Sequence, residues 1–192
     1  ITQFPKGNKG ITIGDNQYPR TIYSLWTEAE RNAIGIYTVE IDETNRKNEE
    51  FYTNTNITYA FGSGKVTGSY GTATAKRLND EDAVDENGDK VKDADGNQVI
   101  NYGLKTQYKN KFNTEAAVLL SRTDWYVIKA ADVGSYSVPS NITTYRAAVR
   151  TKVNAMETSI DNCSDVAALI TLLTYETDSD GKITTRPLGE FP

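Results

Sequence analysis

The sequence predicts an α+β protein in which a β-rich N-terminal half with one short helix precedes a small helical C-terminal unit. Two observations support this prediction. Between residues 50 and 75, aromatic or β-branched side chains alternate with small polar ones, which is the two-residue period of strands. Beyond residue 104, apolar side chains recur at steps of three and four, which is the period of a helix. The chain therefore changes its structural class once, near residue 100.

Four consecutive regions follow from these patterns: a β-rich domain at 1–79, an acidic hairpin or loop insertion at 80–103, a helical domain at 104–176 and an extended polar tail at 177–192. With 192 residues, 38% of them hydrophobic, the chain can bury a core of its own. It has no apolar run near the roughly eighteen residues of a membrane helix and no signal-peptide pattern. We therefore expect a soluble protein without membrane insertion, and we find no internal repeat.

The N-terminal half begins with a predicted β-hairpin at 10–19, because the glycine, aspartate and asparagine at its centre favour a tight turn. Thr27 and Glu30 form a capping-box pattern, which predicts a two-turn helix that Gly35 ends. Residues 36–41 alternate in polarity and predict a strand.

The alternating segment at 50–75 predicts two more strands, joined by a loop that contains Gly62 and Gly64. Gly68 and Gly71 leave the second strand open to a β-bulge.

The C-terminal half predicts four helices. The first spans 104–122 and has an apolar stripe formed by Leu104, Tyr108, Phe112, Ala116, Leu119 and Leu120. The second ends near Gly134. The candidate N-caps of the later helices are Thr123 or Asp124, Asn141 or Thr143, and Ser164 with Asp165.

The formal net charge of −5 is concentrated in one segment. Residues 80–97 contain eight acidic side chains and two lysines, so the rest of the chain is nearly neutral. Neither part has the basic stripe of a nucleic-acid-binding protein, and we expect no nucleic-acid partner.

A short Asp-x-[Asn/Asp]-Gly pattern occurs at 85–88, 93–96 and 178–181. Closely spaced carboxylates are ligands for calcium, but the same residues suit tight hairpin turns. In an EF-hand alignment the first ligands would be Ala83, Val91 and Glu176, and the twelfth would be Ala94, Tyr102 and Pro187. We therefore favour turns and expect no metal or cofactor, while a calcium-binding module stays open as an alternative.

The sequence lacks the usual catalytic patterns. It has no histidine, no Gly-x-Ser-x-Gly elbow and no phosphate-binding Gly-x-x-x-x-Gly-Lys loop. Cys163 is the only cysteine and is expected to be a half-buried structural thiol. We expect no catalytic residue and no enzyme activity, although a carboxylate-based glycan hydrolase remains an alternative. The sequons at Asn56 and Asn141 are expected to be unmodified.

Two blocks of the sequence resemble tail-associated proteins of tailed bacteriophages. The first is Asp15-Asn-Gln-Tyr-Pro with Leu25-Trp-Thr-Glu-Ala-Glu-Arg-Asn-Ala-Ile-Gly-Ile-Tyr-Thr-Val, which resembles the opening of tail-fibre and fibre-assembly proteins. The second is Thr123-Asp-Trp with Thr144-Tyr-Arg-Ala-Ala-Val-Arg, which is similar to the C-terminal region of tail proteins, particularly those of phages of marine bacteria. Together they cover about half of the chain.

The chain also departs from that pattern. Fibre-assembly proteins commonly end in an apolar segment with a terminal Trp-Pro soon after the arginine-bearing helix, whereas here a further helix follows and the last residues are Phe191 and Pro192. Residues 50–100 also look unlike an assembly helper.

The resemblance implies a non-enzymatic structural protein of the virion tail, in a fibre, fibre-attachment or baseplate position, which is assembled in the host cytoplasm and serves host attachment. Its implied partners are other tail proteins and further copies of itself. A fibre-assembly chaperone that is not retained in the virion is the alternative. The candidate interface or core anchors are Trp26, Trp125, Tyr126, Tyr145 and Arg146.

Overall fold

A computed structural model describes residues 10–192 and confirms the α+β class. The chain divides between Thr74 and Ala75 into two units. The sequence predicts a first domain that ends at residue 79 and a separate insertion at 80–103, but in the structure the acidic segment belongs to the second unit. The first nine residues of the expected N-terminal domain lie outside the described range.

The first unit contains the predicted hairpin and a second helix that was not predicted. Its elements are β1 (Ile11–Ile13), β2 (Asn16–Tyr18), α1 (Ile22–Leu25), α2 (Glu28–Ala33), β3 (Val39–Asp42), β4 (Tyr52–Thr53), β5 (Thr58–Gly62), β6 (Lys65–Ser69) and β7 (Thr74–Ala75). Strands β1 and β2 pair antiparallel, as predicted. Helix α1 is a single turn that contains β-branched and aromatic residues, so its sequence does not indicate a helix. Its residue Ile22 is buried, with 2% of its surface exposed.

Helix α2 forms because both halves of the predicted capping box are made. The backbone N–H of Glu30 donates to the Thr27 hydroxyl, and the backbone N–H of Thr27 donates to the Glu30 carboxylate. Gly35 follows the helix with a φ of 83°, a left-handed conformation that suits glycine. This helix is confirmed.

A three-stranded sheet in the order β3-β6-β5 is the main sheet of the first unit. Strand β6 pairs parallel with β3 and antiparallel with β5. The β5–β6 turn is made by Ser63 and Gly64, which both have positive φ angles, 54° and 76°, as a two-residue hairpin loop requires. The predicted Gly-containing loop between two strands is thus confirmed.

The expected bulge in the second strand is wrong. The β5–β6 register runs without interruption from Thr58 opposite Ser69 to Gly62 opposite Lys65, and Gly71 lies beyond the strand. Gly68 has another role, because a Cβ atom there would lie 2.9 Å from side-chain carbons of both Ile57 and Tyr59. The glycine lets these side chains pack over the strand.

The second unit contains the four predicted helices. Its elements are β8 (Glu81–Asp82), β9 (Ile100–Asn101), α3 (Leu104–Ser121), α4 (Asp124–Asp132), α5 (Ser140–Asp161), α6 (Val166–Leu173), β10 (Glu176–Thr177) and β11 (Ile183–Thr185). Helices α3 and α5 pack against each other. The buried centre of their contact is Ala116, Val149 and Val153, against which Phe112, Leu119, Leu120, Tyr145 and Phe191 pack.

The helix caps agree only in part with the prediction. Asp165 caps α6 by accepting a 2.8 Å hydrogen bond from the backbone N–H of Ala168, as expected. Helix α5 begins at Ser140, one residue before Asn141 and three before Thr143. It follows Pro139, whose carbonyl accepts from the N–H groups of Ile142 and Thr143. Asn141 and Thr143 are therefore helical residues rather than caps.

The acidic segment is a double hairpin closed by the antiparallel pair β8–β9. Its centre is a ring of three backbone hydrogen bonds: Ala83 N–H to Val99 C=O, Val91 N–H to Ala83 C=O, and Val99 N–H to Val91 C=O. The three residues are eight apart, with one Asp-x-[Asn/Asp]-Gly turn after Ala83 and another after Val91. The expectation of no internal repeat is therefore wrong for this segment.

Residues that precede the double hairpin accept hydrogen bonds from the start of α3. The N–H groups of Leu104 and Lys105 donate to the carbonyls of Arg77 and Leu78, and that of Gly103 donates to the Asp80 carboxylate. These bonds satisfy donors that a helix leaves free at its first turn, and a carboxylate is favourable there.

The sequence predicts an extended tail from residue 177. Instead, β10 and β11 form an antiparallel hairpin, and the segment after it lies against α5. The reason is the third Asp-x-Asp-Gly turn, which reverses the chain direction at 178–181.

Candidate functional site

The second resemblance block forms a polar cluster where α3, α4 and α5 meet. Arg146 is only 8% exposed, and its Nη1 donates to the Thr123 hydroxyl at 2.7 Å and to the Leu120 carbonyl at 2.8 Å. Its Nη2 lies 2.8 Å from Asp124 Oδ1. The Leu120 carbonyl belongs to the last turn of α3 and also accepts from the backbone N–H of Thr123 at 3.0 Å. The Thr-Asp-Trp and Tyr-Arg motifs are therefore joined in space by one buried arginine.

The geometry of this cluster explains why Thr123 does not cap α4. Its hydroxyl donates to the Leu120 carbonyl at 2.9 Å and accepts from Arg146, so it turns towards α3 rather than towards the free N–H groups of α4. Each group in the cluster is a hydrogen-bond partner of another, which gives it a structural role: it fixes the angles between the helices.

The other aromatic anchor residues are divided between core and surface. Tyr145 packs half-buried against the α3–α5 core. Trp26 is half-buried in the first unit, where its ring lies 5.8 Å from that of Tyr18 in an edge-to-face contact. Tyr126 is half-buried, and its ring is tilted by 32° against that of Trp125, with ring centroids 3.8 Å apart. Trp125 itself is 52% exposed.

Helix α4 has an exposed apolar surface, here called the α4 patch, formed by Trp125 and Ile128. The two side chains are one helical turn apart, and they are 52% and 61% exposed. No residue of α4 is buried, although most of its residues are apolar. Lys129 lies 4.4 Å from the ring centroid of Tyr136 and 5.9 Å from that of Trp125, so its ammonium group covers part of the aromatic surface.

The three-stranded sheet of the first unit has a second exposed apolar surface, here called the sheet patch. It consists of Val39, Ile41, Tyr59 and Phe61, which surround the buried Val66. The register places these residues on one face, because Val39 and Phe61 both lie opposite Val66, and Ile41 and Tyr59 lie opposite Gly68. The other face is polar and carries the Lys65–Glu40 ion pair.

The three Asp-x-[Asn/Asp]-Gly segments share one geometry. In each, the first aspartate accepts hydrogen bonds through Oδ1 from the N–H groups two and four residues later, at 2.8–3.0 Å. In each, the glycine has a φ between 78° and 87°. The predicted turns are confirmed, and the carboxylates Asp85, Asp93 and Asp178 serve as backbone acceptors inside them. Within residues 10–192, no three acidic or cysteine side chains group as metal ligands.

Few titratable groups have shifted pKa values. Backbone N–H donors, that of Asn97 first, lower the pKa of the Asp93 carboxyl. The hydrogen bond to Asp161 raises the pKa of Lys109. Burial raises the pKa of the Cys163 thiol, opposed by the charge of Lys105. Each of these three shifts has a hydrogen-bond partner or burial as its main cause.

The sequence pattern does not predict the sheet patch. The alternation in β5 was visible, but it did not show that Tyr59 and Phe61 lie half-exposed, at 47% and 55%. No helix in the described part of the chain is long and apolar enough to span a membrane. Comparisons with protein-family models, with curated proteins and with solved structures find no match to this chain.

Proposed function

We propose that this protein is a non-enzymatic structural component of a bacteriophage virion tail, in a fibre, fibre-attachment or baseplate position, and that it acts through protein–protein contacts. The resemblance of two sequence blocks to tail-associated proteins supports the location. The observation that carries the mode of action is the presence of one exposed apolar patch on each unit, the α4 patch and the sheet patch.

Both patches have the composition of a protein interface. Aromatic residues are enriched in interface cores, and each patch contains at least one: Trp125 in the α4 patch, and Tyr59 and Phe61 in the sheet patch. Large exposed aromatic side chains on rigid elements lose little side-chain entropy on binding. Contacts of this kind fit an assembly made of repeated copies and neighbouring tail proteins.

The acidic segment supports a binding role over glycan hydrolysis. A glycosidase holds two carboxyl groups across the sugar bond, one of them with a raised pKa. Here Asp85 and Asp93 accept backbone hydrogen bonds inside tight turns, and the pKa of Asp93 is lowered rather than raised.

Mass spectrometry of purified phage particles tests the proposal. We expect the chain in the particles at a fixed ratio to the other tail proteins. The double variant Trp125→Ser/Ile128→Ser should be lost from the particles, whereas Tyr102→Ser, which alters an equally exposed aromatic residue (58%), should be retained. A chain that binds unassembled fibre protein but is missing from complete particles would be a chaperone, and this result would overturn the structural role. Absence from both fractions would overturn any tail role.

A further inference from the structure

The groove between α3 and α5 holds a segment of the same chain, residues 188–192, here called the tail anchor. Phe191 packs on the buried centre of the α3–α5 contact, and Leu188 is 9% exposed. The Lys152 ammonium donates to the Leu188 carbonyl at 2.7 Å. Gly189, the residue after Leu188, has a φ of 73°, and a Cβ atom at this position would collide with Lys152 Nζ. The tail anchor is thus held by specific apolar and polar contacts.

The link between this anchor and the helices is exposed. Every residue from 174 to 187 is exposed, and the hydrogen bonds found for the β10–β11 hairpin in the described structure run within it. Arg186 pairs with Glu190 across the end of the link, so these two charges cancel beside the groove. The link therefore adds little to the attachment of the anchor, which depends on its own contacts.

The tail anchor is only partly buried: of its five residues, Leu188 alone is buried, while Glu190 and Pro192 are exposed. A shallow, open depression of about 440 Å³ lies beside the groove, between the anchor and α5, lined by Ala148, Thr151, Lys152, Ala155, Glu190 and Pro192. An anchor that is mostly unburied and tethered by an exposed link can leave its groove at a lower free-energy cost than a core element.

We propose that this groove also accepts the tail anchor of a second copy of the chain, so that two chains exchange their anchors. The exchanged state makes the same Phe191 and Lys152 contacts as the closed chain, so it needs no new complementary surface. The two states differ in the tether, because the short link at 174–187 holds the chain's own anchor near the groove at an effective concentration on the order of 1 mM. Exchange is therefore favoured where copies are crowded. This inference rests on the groove and does not depend on a role in a virion.

Isotope-encoded cross-linking of the full chain tests the exchange. A light chain carrying Phe191→p-benzoylphenylalanine is mixed with a heavy chain of native sequence and irradiated, and cross-links to peptides of α5 are sorted by mass. We expect the share of light-to-heavy links to rise about fivefold between about 0.1 and 1 mM, because the neighbour's anchor then competes with the chain's own. The same probe at Tyr102, an exposed position, measures random collisions. Light-to-heavy links at 191 that never exceed those at 102 would overturn the proposal.

A second measurement uses the native sequence, so that its result does not depend on the substitution at residue 191. In an equal mixture of labelled and unlabelled chains at about 1 mM, isotope-filtered NMR should detect contacts between the Phe191 ring of one chain and the methyl groups of Val149 or Val153 of another. Contacts found only within one chain at that concentration would show that the anchor stays closed, and the exchange would be excluded.

Discussion

Arg146 and Asp124 lie in different helices, 22 residues apart in sequence, yet Arg146 Nη2 is 2.8 Å from Asp124 Oδ1. The arginine is 8% exposed, while the side chain of Asp124 is 51% exposed. The ion pair is therefore open to solvent on the aspartate side and contributes little by itself. The buried hydrogen bonds to Thr123 and to the Leu120 carbonyl are the stronger part of the cluster.

Replacing Arg146 should destabilise the helical unit. Arg146→Met leaves the Thr123 hydroxyl and the Leu120 carbonyl without their charged donor, and we expect the free energy of unfolding in urea to fall by about 2–3 kcal/mol. The matched control is Arg150→Met, one helical turn further along α5 and exposed, with a loss of about 0.5 kcal/mol or less. Equal losses in the two variants would show that the cluster does not stabilise the unit.

A methyl group at Gly68 should strain the three-stranded sheet. Gly68→Ala places a Cβ 2.9 Å from carbons of Ile57 and Tyr59, and we expect a loss of about 1–2 kcal/mol in thermal unfolding. Gly62→Ala lies in the same sheet, and no atom comes within 4 Å of its added Cβ. That control should change stability by less than about 0.5 kcal/mol. A neutral Gly68→Ala would mean that the half-exposed neighbours simply move aside.

The capping box of α2 should lower the pKa of Glu30 and make the stability of the helix depend on pH. The N–H and hydroxyl of Thr27 lower the pKa of Glu30, because they donate to its carboxylate. A lowered folded pKa means that this stabilisation is present above the ordinary pKa of glutamate and is lost as the pH falls through the folded value. NMR titration of Glu30 should show the low pKa, and Thr27→Val should raise it towards the ordinary value. Thr38→Val, outside the helix, should leave it unchanged.

The structure of the turn at 93–96 should depend on Asp93 as a hydrogen-bond acceptor and not on the charge of Asp95. Asp93→Ala removes the acceptor for the N–H groups of Asp95 and Asn97, so hydrogen exchange of both amides should accelerate. Asp95→Ala removes one negative charge from the same turn without removing that acceptor, and exchange at residue 97 should change little. Equal acceleration in both variants would point to charge rather than to hydrogen bonding.

The thiol of Cys163 should report unfolding of the helical unit. Burial raises its pKa, and the side chain is 8% exposed, so thiolate formation and access are both restricted in the folded state. Alkylation near neutral pH should be slow for the folded protein and fast in urea. In the variant Cys163→Ser/Ser164→Cys, the thiol lies at an exposed neighbouring position and should react quickly without denaturant. Fast alkylation of folded native protein would contradict the buried position.

Local signals predicted most of the regular elements. The apolar stripe of α3 and the capping residues around α2 and α6 act within one helix, so their effect is readable from neighbouring residues. The Ser63–Gly64 hairpin is similarly local. Helix α1 has no such signal, because its one turn is accompanied by burial of Ile22 rather than by favourable propensity.

The sequence by itself determined the α+β class, the four C-terminal helices and the three aspartate-containing turns, because each depends on side chains within a few residues of one another. Only the tertiary structure decided that Arg146 joins three helices, that Ala83, Val91 and Val99 close a ring, and that Phe191 packs against the α3–α5 contact. It also decided which face of the sheet and which helix expose apolar side chains. These features depend on contacts between residues that are distant in sequence. The order of residues along the chain does not show which distant residues lie close together in space.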